Sequence, residues 1–209
     1  SYDSKRCAEL FALLKKNNSW QVPTLVVNHN MAYLDDPALR TDARLKYFPK
    51  FLSSGWDPTT DFRLKDRTAE QWRGAKKTYE LQVRMVTEMY RAGVPILAGT
   101  DVLNPYCLPG FSLHDELENL VKAGLTPIDA LRAATLNPAR FLEATDSLGT
   151  IAAKKIADLV LLDADPLLDI RNTTRINAVV ANGRLYDRAA IEKLLADAQK
   201  FAASSAPPQ

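Results

Sequence analysis

The chain has 209 residues, 46% of them hydrophobic and 25% charged, with a formal net charge of +2. That is enough length for one ordinary domain or pieces of two, and enough apolar content for a real core. Both signs of charge are interspersed and no apolar run reaches transmembrane length, which excludes a nucleic-acid or membrane-surface footprint.

Taken in chain order, the first residues (Ser1 to Arg6) show neither Met nor a secretory pattern, so the sequence reads as the middle of a longer protein and leaves the compartment unassigned. Residues 3–17 carry Cys7, Leu10, Phe11 and Leu14 at helical spacing, with Lys15 and Lys16 in the last turn. Residues 21–28 form a short β-branched run that predicts a strand. Helix then strand, with no hairpin signal between, is the pattern of a parallel α/β sheet. From 29 to 66 the periodicity fails at Pro37, Pro49 and Pro58, though 37–47 has room for a short helix. This insertion holds Tyr33, Tyr47, Phe48, Phe51, Trp56 and Phe62, and suits either a lid over a binding site or a self-packed loop.

Thr68 with Gln71 signals a reciprocal cap on the longest helix, whose stripe is Trp72, Ala75, Tyr79, Val83, Val86 and Tyr90 and whose stop is Gly93. Val94 to Ala98 then reads as a buried parallel strand, broken by Gly99-Thr100 and ending in Asp101. In a β/α barrel the chemistry sits where strands run out, so Asp101 points at the barrel mouth or, in the plainer reading, caps a turn. Ser112 with Asp115 opens another helix that buries Leu113, Leu117, Leu120 and Val121, and Gly124 stops it. Thr126-Pro127 restarts the pattern at once, and Asn137-Pro138 interrupts it before a last turn to about 143. After Asp146 the signal changes to short strands at 148–151, 157–163, 176–181 and 184–186, with the hairpin dipeptide Asn182-Gly183 between the last two. A helix over 189–203 and a disordered tail at 204–209 close the chain.

Several stretches together carry a family likeness. They are Val22-Pro23-Thr24-Leu25, then Ala92-Gly93-Val94-Pro95-Ile96-Leu97-Ala98-Gly99-Thr100-Asp101, then Ser112-Leu113-His114-Asp115-Glu116-Leu117. Ala123-Gly124-Leu125-Thr126-Pro127, Asn137-Pro138-Ala139, Leu148-Gly149-Thr150-Ile151 and Ala157-Asp158-Leu159-Val160-Leu161-Leu162 follow in order. With these motifs the chain resembles the C-terminal part of metal-dependent amidohydrolases, nearest their imidazolonepropionase-like and prolidase-like branch. One departure is Lys154-Lys155, where such proteins usually carry a Gly-Lys turn.

The resemblance implies an α/β fold: strands seven and eight of a (β/α)8 barrel in residues 1–145, with the insertion at 29–66, and the C-terminal strands of a flanking β-sandwich in 146–188. It makes Asp101 the last-strand aspartate, which takes a proton from a metal-bound water, touches the metal, and returns the proton to a leaving nitrogen. It also implies Zn2+, one or two ions, held mainly by a His-x-His pair and further single His residues. This chain has only His29 and His114, far apart in sequence, so it is not expected to retain zinc alone. Each histidine is a candidate substrate contact, against the plainer alternative of a local hydrogen bond. The expected partners are an upstream half of the same protein or a complementary chain, a small amide or dipeptide substrate, and a second copy; nucleic acid and membrane are not expected. The competing expectation is a non-catalytic assembly module that binds a partner through exposed barrel edges.

Overall fold

The computed structural model describes residues 2–61 and 64–205; Phe62 of the insertion and residues 206–209 of the expected tail lie outside them. Helix α1 (Ser4–Lys16) is opened by Asp3, whose carboxylate accepts from the N–H groups of Lys5 and Arg6, and it buries Phe11. Cys7 packs at the edge of the same core.

The strand expected at 21–28 is not formed. Only Gln21 pairs, in a parallel bridge with Ile96, and α2 (Leu25–Ala32) begins four residues later. A short continuous apolar run has no period to separate buried strand from buried helix. Here the backbone turns left-handed at Thr24 (φ 45°), Pro23 offers no N–H to a ladder, and the Val26 N–H is taken by the Glu116 carboxylate at 2.7 Å.

The insertion resolves into α3 (Pro37–Arg40), a 3-10 turn over Ala43–Tyr47, α4 (Lys50–Ser53) and a further turn at Ser54–Trp56. Of the two readings of its aromatics, packing describes it. Leu34, Phe48, Trp56 and Leu64 form a cluster with Tyr106 and Leu108, from the loop that follows Asp101. Phe48 stacks on Trp56, which tilts against Tyr106.

Helix α5 (Ala69–Ala92) starts on the cap read from the sequence: the Thr68 N–H donates to Gln71 Oε1 and the Gln71 N–H to Thr68 Oγ1. It ends at Gly93, where φ is 77° and a side chain would be strained. Val86 and Met89 enter the main core with Leu25, Ile96, Leu117 and Leu120. Val94 and Ile96 also enter that core, but the strand expected at 94–98 is reduced to one bridge, from Ile96 to Gln21. The Gln21 N–H donates to Pro95 O and the Leu97 N–H to Gln21 O, both at 2.9 Å.

Helix α6 (Phe111–Lys122) begins one residue before the expected Ser112, after Gly110. The Ser112 hydroxyl instead accepts from Leu108 N–H at 2.8 Å, closing the preceding loop onto the helix. Thr126 caps α7 (Pro127–Ala134), and α8 (Leu136–Phe141) follows directly.

Among the described residues the sheet is antiparallel, ordered β1 (Leu159–Leu162), β2 (Ile176–Ala181), β3 (Arg184–Tyr186). Asn182 and Gly183 both have positive φ in the β2–β3 turn, as the dipeptide predicts. The strand expected at 148–151 is a bend instead. Gly149 lies at φ 85° against Ala139 and Leu136, and Ile151 is 88% exposed with nothing to pair it. Lys154 sits at φ 70°, a left-handed position that glycine adopts without strain and lysine does not. Helix α9 (Arg188–Ser204) runs past the expected start of a disordered tail, and the hydroxyls of Ser204 and Ser205 donate to Phe201 O.

Candidate active site

Asp101 is exposed, three residues past the 94–98 segment, in which Val94 and Ile96 are buried. Its backbone is left-handed (φ 48°), and so are Leu103 (φ 82°) and Tyr106 (φ 59°). Three such residues within six positions, none of them glycine, store strain in one short loop, and strain of that kind gathers at functional sites. The loop is held at its far end: Tyr106, Cys107 and Leu108 are buried, while Asp101, Val102 and Leu103 face solvent. Asn104 closes the turn, its side-chain amide donating to Asp101 O at 2.9 Å. That bond uses the backbone carbonyl and leaves the carboxylate out of the turn's closure.

Burial pushes the Cys107 thiol up to about 11, so it is a packing residue rather than a nucleophile. Asn30 donates to its sulfur at 3.7 Å.

The two histidines stand in different settings. His29 lies within α2, where its ring stacks on Tyr33 (4.7 Å between centroids) and meets the edge of Tyr79. Its Nδ1 is 3.2 Å from Asn30 Oδ1. His114, on α6, has Nδ1 3.0 Å from Thr173 Oγ1. The Thr173 hydroxyl already donates to Ile170 O, so it accepts from His114 Nδ1–H, which leaves Nε2 as the acceptor nitrogen of a neutral ring. Burial lowers the His114 pKa and favours that neutral form.

Among the described residues no three His, Cys, Asp or Glu side chains converge as a metal site. His29, Asp101 and His114 are therefore not assembled into a ligand set. A catalytic zinc takes three protein ligands, and the residues present do not fit one by themselves.

Two side chains with clear roles at this end of the molecule lay outside the sequence reading. Arg44, from the insertion, meets Asp115 of α6 through both carboxylate oxygens (3.0 and 2.8 Å) while also binding Asp42, which latches the insertion to the helix after the Asp101 loop. Glu116 is wholly buried on α6. A signal for it existed: an acid one residue before Leu117 and four before Leu120, on the face that they bury, whereas Leu113, expected on that face, is exposed.

A cavity of about 460 Å³ lies at the other end of the 94–98 segment, lined by Trp20, Tyr90, Pro95, Asp129, Arg132 and Arg140. It is bounded by the start of the segment and so sits away from the carboxylate.

The sequence profile of the Amidohydrolase family matches residues 52–186. An imidazolonepropionase of Pyrobaculum arsenaticum is 46% identical over 80 residues, which cover 37% of this chain and 19% of that protein. An adenine deaminase 2 of Jannaschia sp. is 38% identical over 66 residues, 32% of this chain and 11% of that protein. The crystal structure of a Xaa-Pro dipeptidase with methionine in its active site superposes with a TM-score of 0.60 at 22% identity, covering 86% of this chain and 37% of the other. That likeness supports a barrel-type α/β domain. The chain thus spans well under half the length of these relatives.

Proposed function

Because the chain belongs to the amidohydrolase family, a group of hydrolases of carbon–nitrogen bonds, we propose that it is the C-terminal part of a metal-dependent amide or peptide hydrolase with Asp101 as its proton-transfer group. The observation that carries this reading is an exposed aspartate just past the half-buried 94–98 segment, on a strained loop whose other end is anchored. Amide hydrolysis needs a proton removed from the attacking water and one delivered to the departing nitrogen. One carboxylate, positioned where both atoms pass, serves both steps. Asp101 has the exposure for this, with its backbone fixed by Asn104.

Zinc, the expected ion, would supply a more acidic water and polarise the carbonyl if further ligands held it beside Asp101. Its histidine ligands belong to a part of the protein outside these 209 residues, and this chain alone is inactive. In the assembled enzyme, the parallel bridge between Gln21 and Ile96 lies where the seventh and eighth barrel positions meet, and β1 to β3 complete a flanking sandwich. His114 Nε2 and the His29 ring are the substrate contacts offered by this part, the first as a hydrogen-bond acceptor. The substrate is a dipeptide or a small cyclic amide.

A second reading, a non-catalytic module that binds a partner chain, draws on one observation: Val160 and Leu161 of β1 and Leu185 of β3 are exposed on an open sheet. The deciding experiment uses the full-length protein and residues 1–209 side by side. Metal content by elemental analysis and hydrolysis of dipeptides and cyclic amides are measured on both. Stoichiometric metal and turnover in the long form alone support the enzyme reading. No turnover and no metal in the long form overturn it and leave the module.

A further inference from the structure

Glu116 is the anomaly of the interior. Its side chain is 0% exposed, on the face of α6 that otherwise presents Leu117 and Leu120 to the core. A carboxylate is almost never fully buried without a partner that needs it. Here the partner is the start of another helix. Thr24, ahead of α2, makes no side-chain cap. The first N–H groups of a helix have no partner within it, so a buried helix start must find acceptors elsewhere. Glu116 Oε2 accepts from Val26 N–H at 2.7 Å, capping α2 from a helix 90 residues further along the chain. Its second oxygen, Oε1, has no partner among the described residues.

The residues fixed this way lead to Asp101 by short steps. Five residues before Val26, Gln21 exchanges two backbone hydrogen bonds with Pro95 and Leu97. Next to it, Val22 presses on Gly99 so closely that a Cβ there would lie 2.4 Å from Val22 Cγ1. Gly99 is two residues before Asp101, so the position of residues 21–26 sets the position of the backbone that presents the carboxylate.

We propose that Glu116 is a positioning residue for the hydrolysis assigned to Asp101, acting through its hydrogen bond to Val26 and the Val22–Gly99 contact. The proposal rests on the reading of Asp101 above. What the site requires of residue 116 is an acceptor oxygen at full glutamate reach, and a negative charge is not part of that requirement. Glutamine keeps a carbonyl oxygen at the same reach, so an amide at this place meets the same need.

Two substitutions separate reach from charge. Glu116→Gln keeps the reach and removes the charge; Glu116→Asp keeps the charge and withdraws the oxygen by one methylene. In the full-length protein, kcat and KM are measured per folded molecule, with hydrogen exchange at the Val26 amide measured on the same samples. We expect Glu116→Gln to hold kcat within about threefold of the parent. Glu116→Asp lowers kcat about tenfold or more, leaves KM within about twofold, and speeds Val26 exchange. Glu116→Gln losing as much kcat as Glu116→Asp overturns the proposal, because charge would then be the requirement. Unchanged kcat in Glu116→Asp overturns it as well, because the residue would then be purely structural. If the parent hydrolyses no amide, the reading of Asp101 fails. Val26 exchange then tests the hydrogen bond alone, and equal exchange in Glu116→Asp and the parent removes that too.

Discussion

The helical core around α6 and the three-stranded sheet are built from similar side chains and treat them oppositely. Leu120 of α6 is 0% exposed, whereas Leu161 of β1 is 61% exposed, Leu185 of β3 68%, and Leu168 in the loop between β1 and β2 85%. In the core even a carboxylate is closed in and given a hydrogen-bond donor. The sheet, by contrast, leaves Val160 and Leu161, neighbours that point to opposite faces, both uncovered. Contiguous exposed apolar surface with open strand edges marks a place where other chain packs. One region is closed by this chain, and the other leaves its apolar side chains in solvent.

The strongest way to break that comparison is to truncate one leucine from each region of this chain and measure unfolding in denaturant. Leu120→Ala should cost about 2–5 kcal/mol, since the cavity it leaves is enclosed. Leu161→Ser should cost less than about 0.5 kcal/mol, as an exposed substitution. Equal losses would mean that the sheet is covered in solution.

The next largest effect depends on pH. Burial raises the Glu116 pKa from the ordinary 4.5 to about 7. The folded state therefore holds a proton that the unfolded state releases. Stability should fall as pH rises from about 4.5 to about 7 and change no further above that, a total on the order of 3 kcal/mol. In Glu116→Gln this part of the pH dependence should vanish. A pH series of melting curves on the two proteins reads the difference directly.

Smaller effects sharpen the boundary between the insertion and the core. Arg44→Ala unlatches the insertion from Asp115, whose side chain is about a third exposed, so the cost should be about 1 kcal/mol and should shrink in high salt. Faster proteolysis within residues 37–56 would accompany it. Lys154→Gly relieves a left-handed lysine and should stabilise by up to about 1 kcal/mol, less the entropy glycine adds to the unfolded chain.

Elements that announce themselves locally were legible in the sequence. The Thr68–Gln71 cap, the Gly93 stop and the Asn182-Gly183 turn each depend on side chains within four residues of one another, and each stands where the pattern put it. The 21–28 segment was misread because its apolar run has no period. What decided it was a carboxylate far along the chain, together with a left-handed Thr24, neither visible in the run itself. The 148–151 strand failed for a related reason: β propensity needs a neighbouring strand, and the bend at Gly149 packs on Ala139 instead. At the site, Asp101 could be picked out because a strand-like run ended in an acid. Arg44 could not, since its partner Asp115 lies 71 residues away and nothing local marks the pairing.

The sharpest single measurement is the turnover of Asp101→Asn in the full-length protein, with folding checked by circular dichroism and metal content held equal to the parent's. An amide in place of the carboxylate keeps the size and removes the proton acceptor, so kcat should fall by about 100-fold or more. Turnover within a few-fold of the parent, at equal metal and equal folding, would take Asp101 out of the reaction.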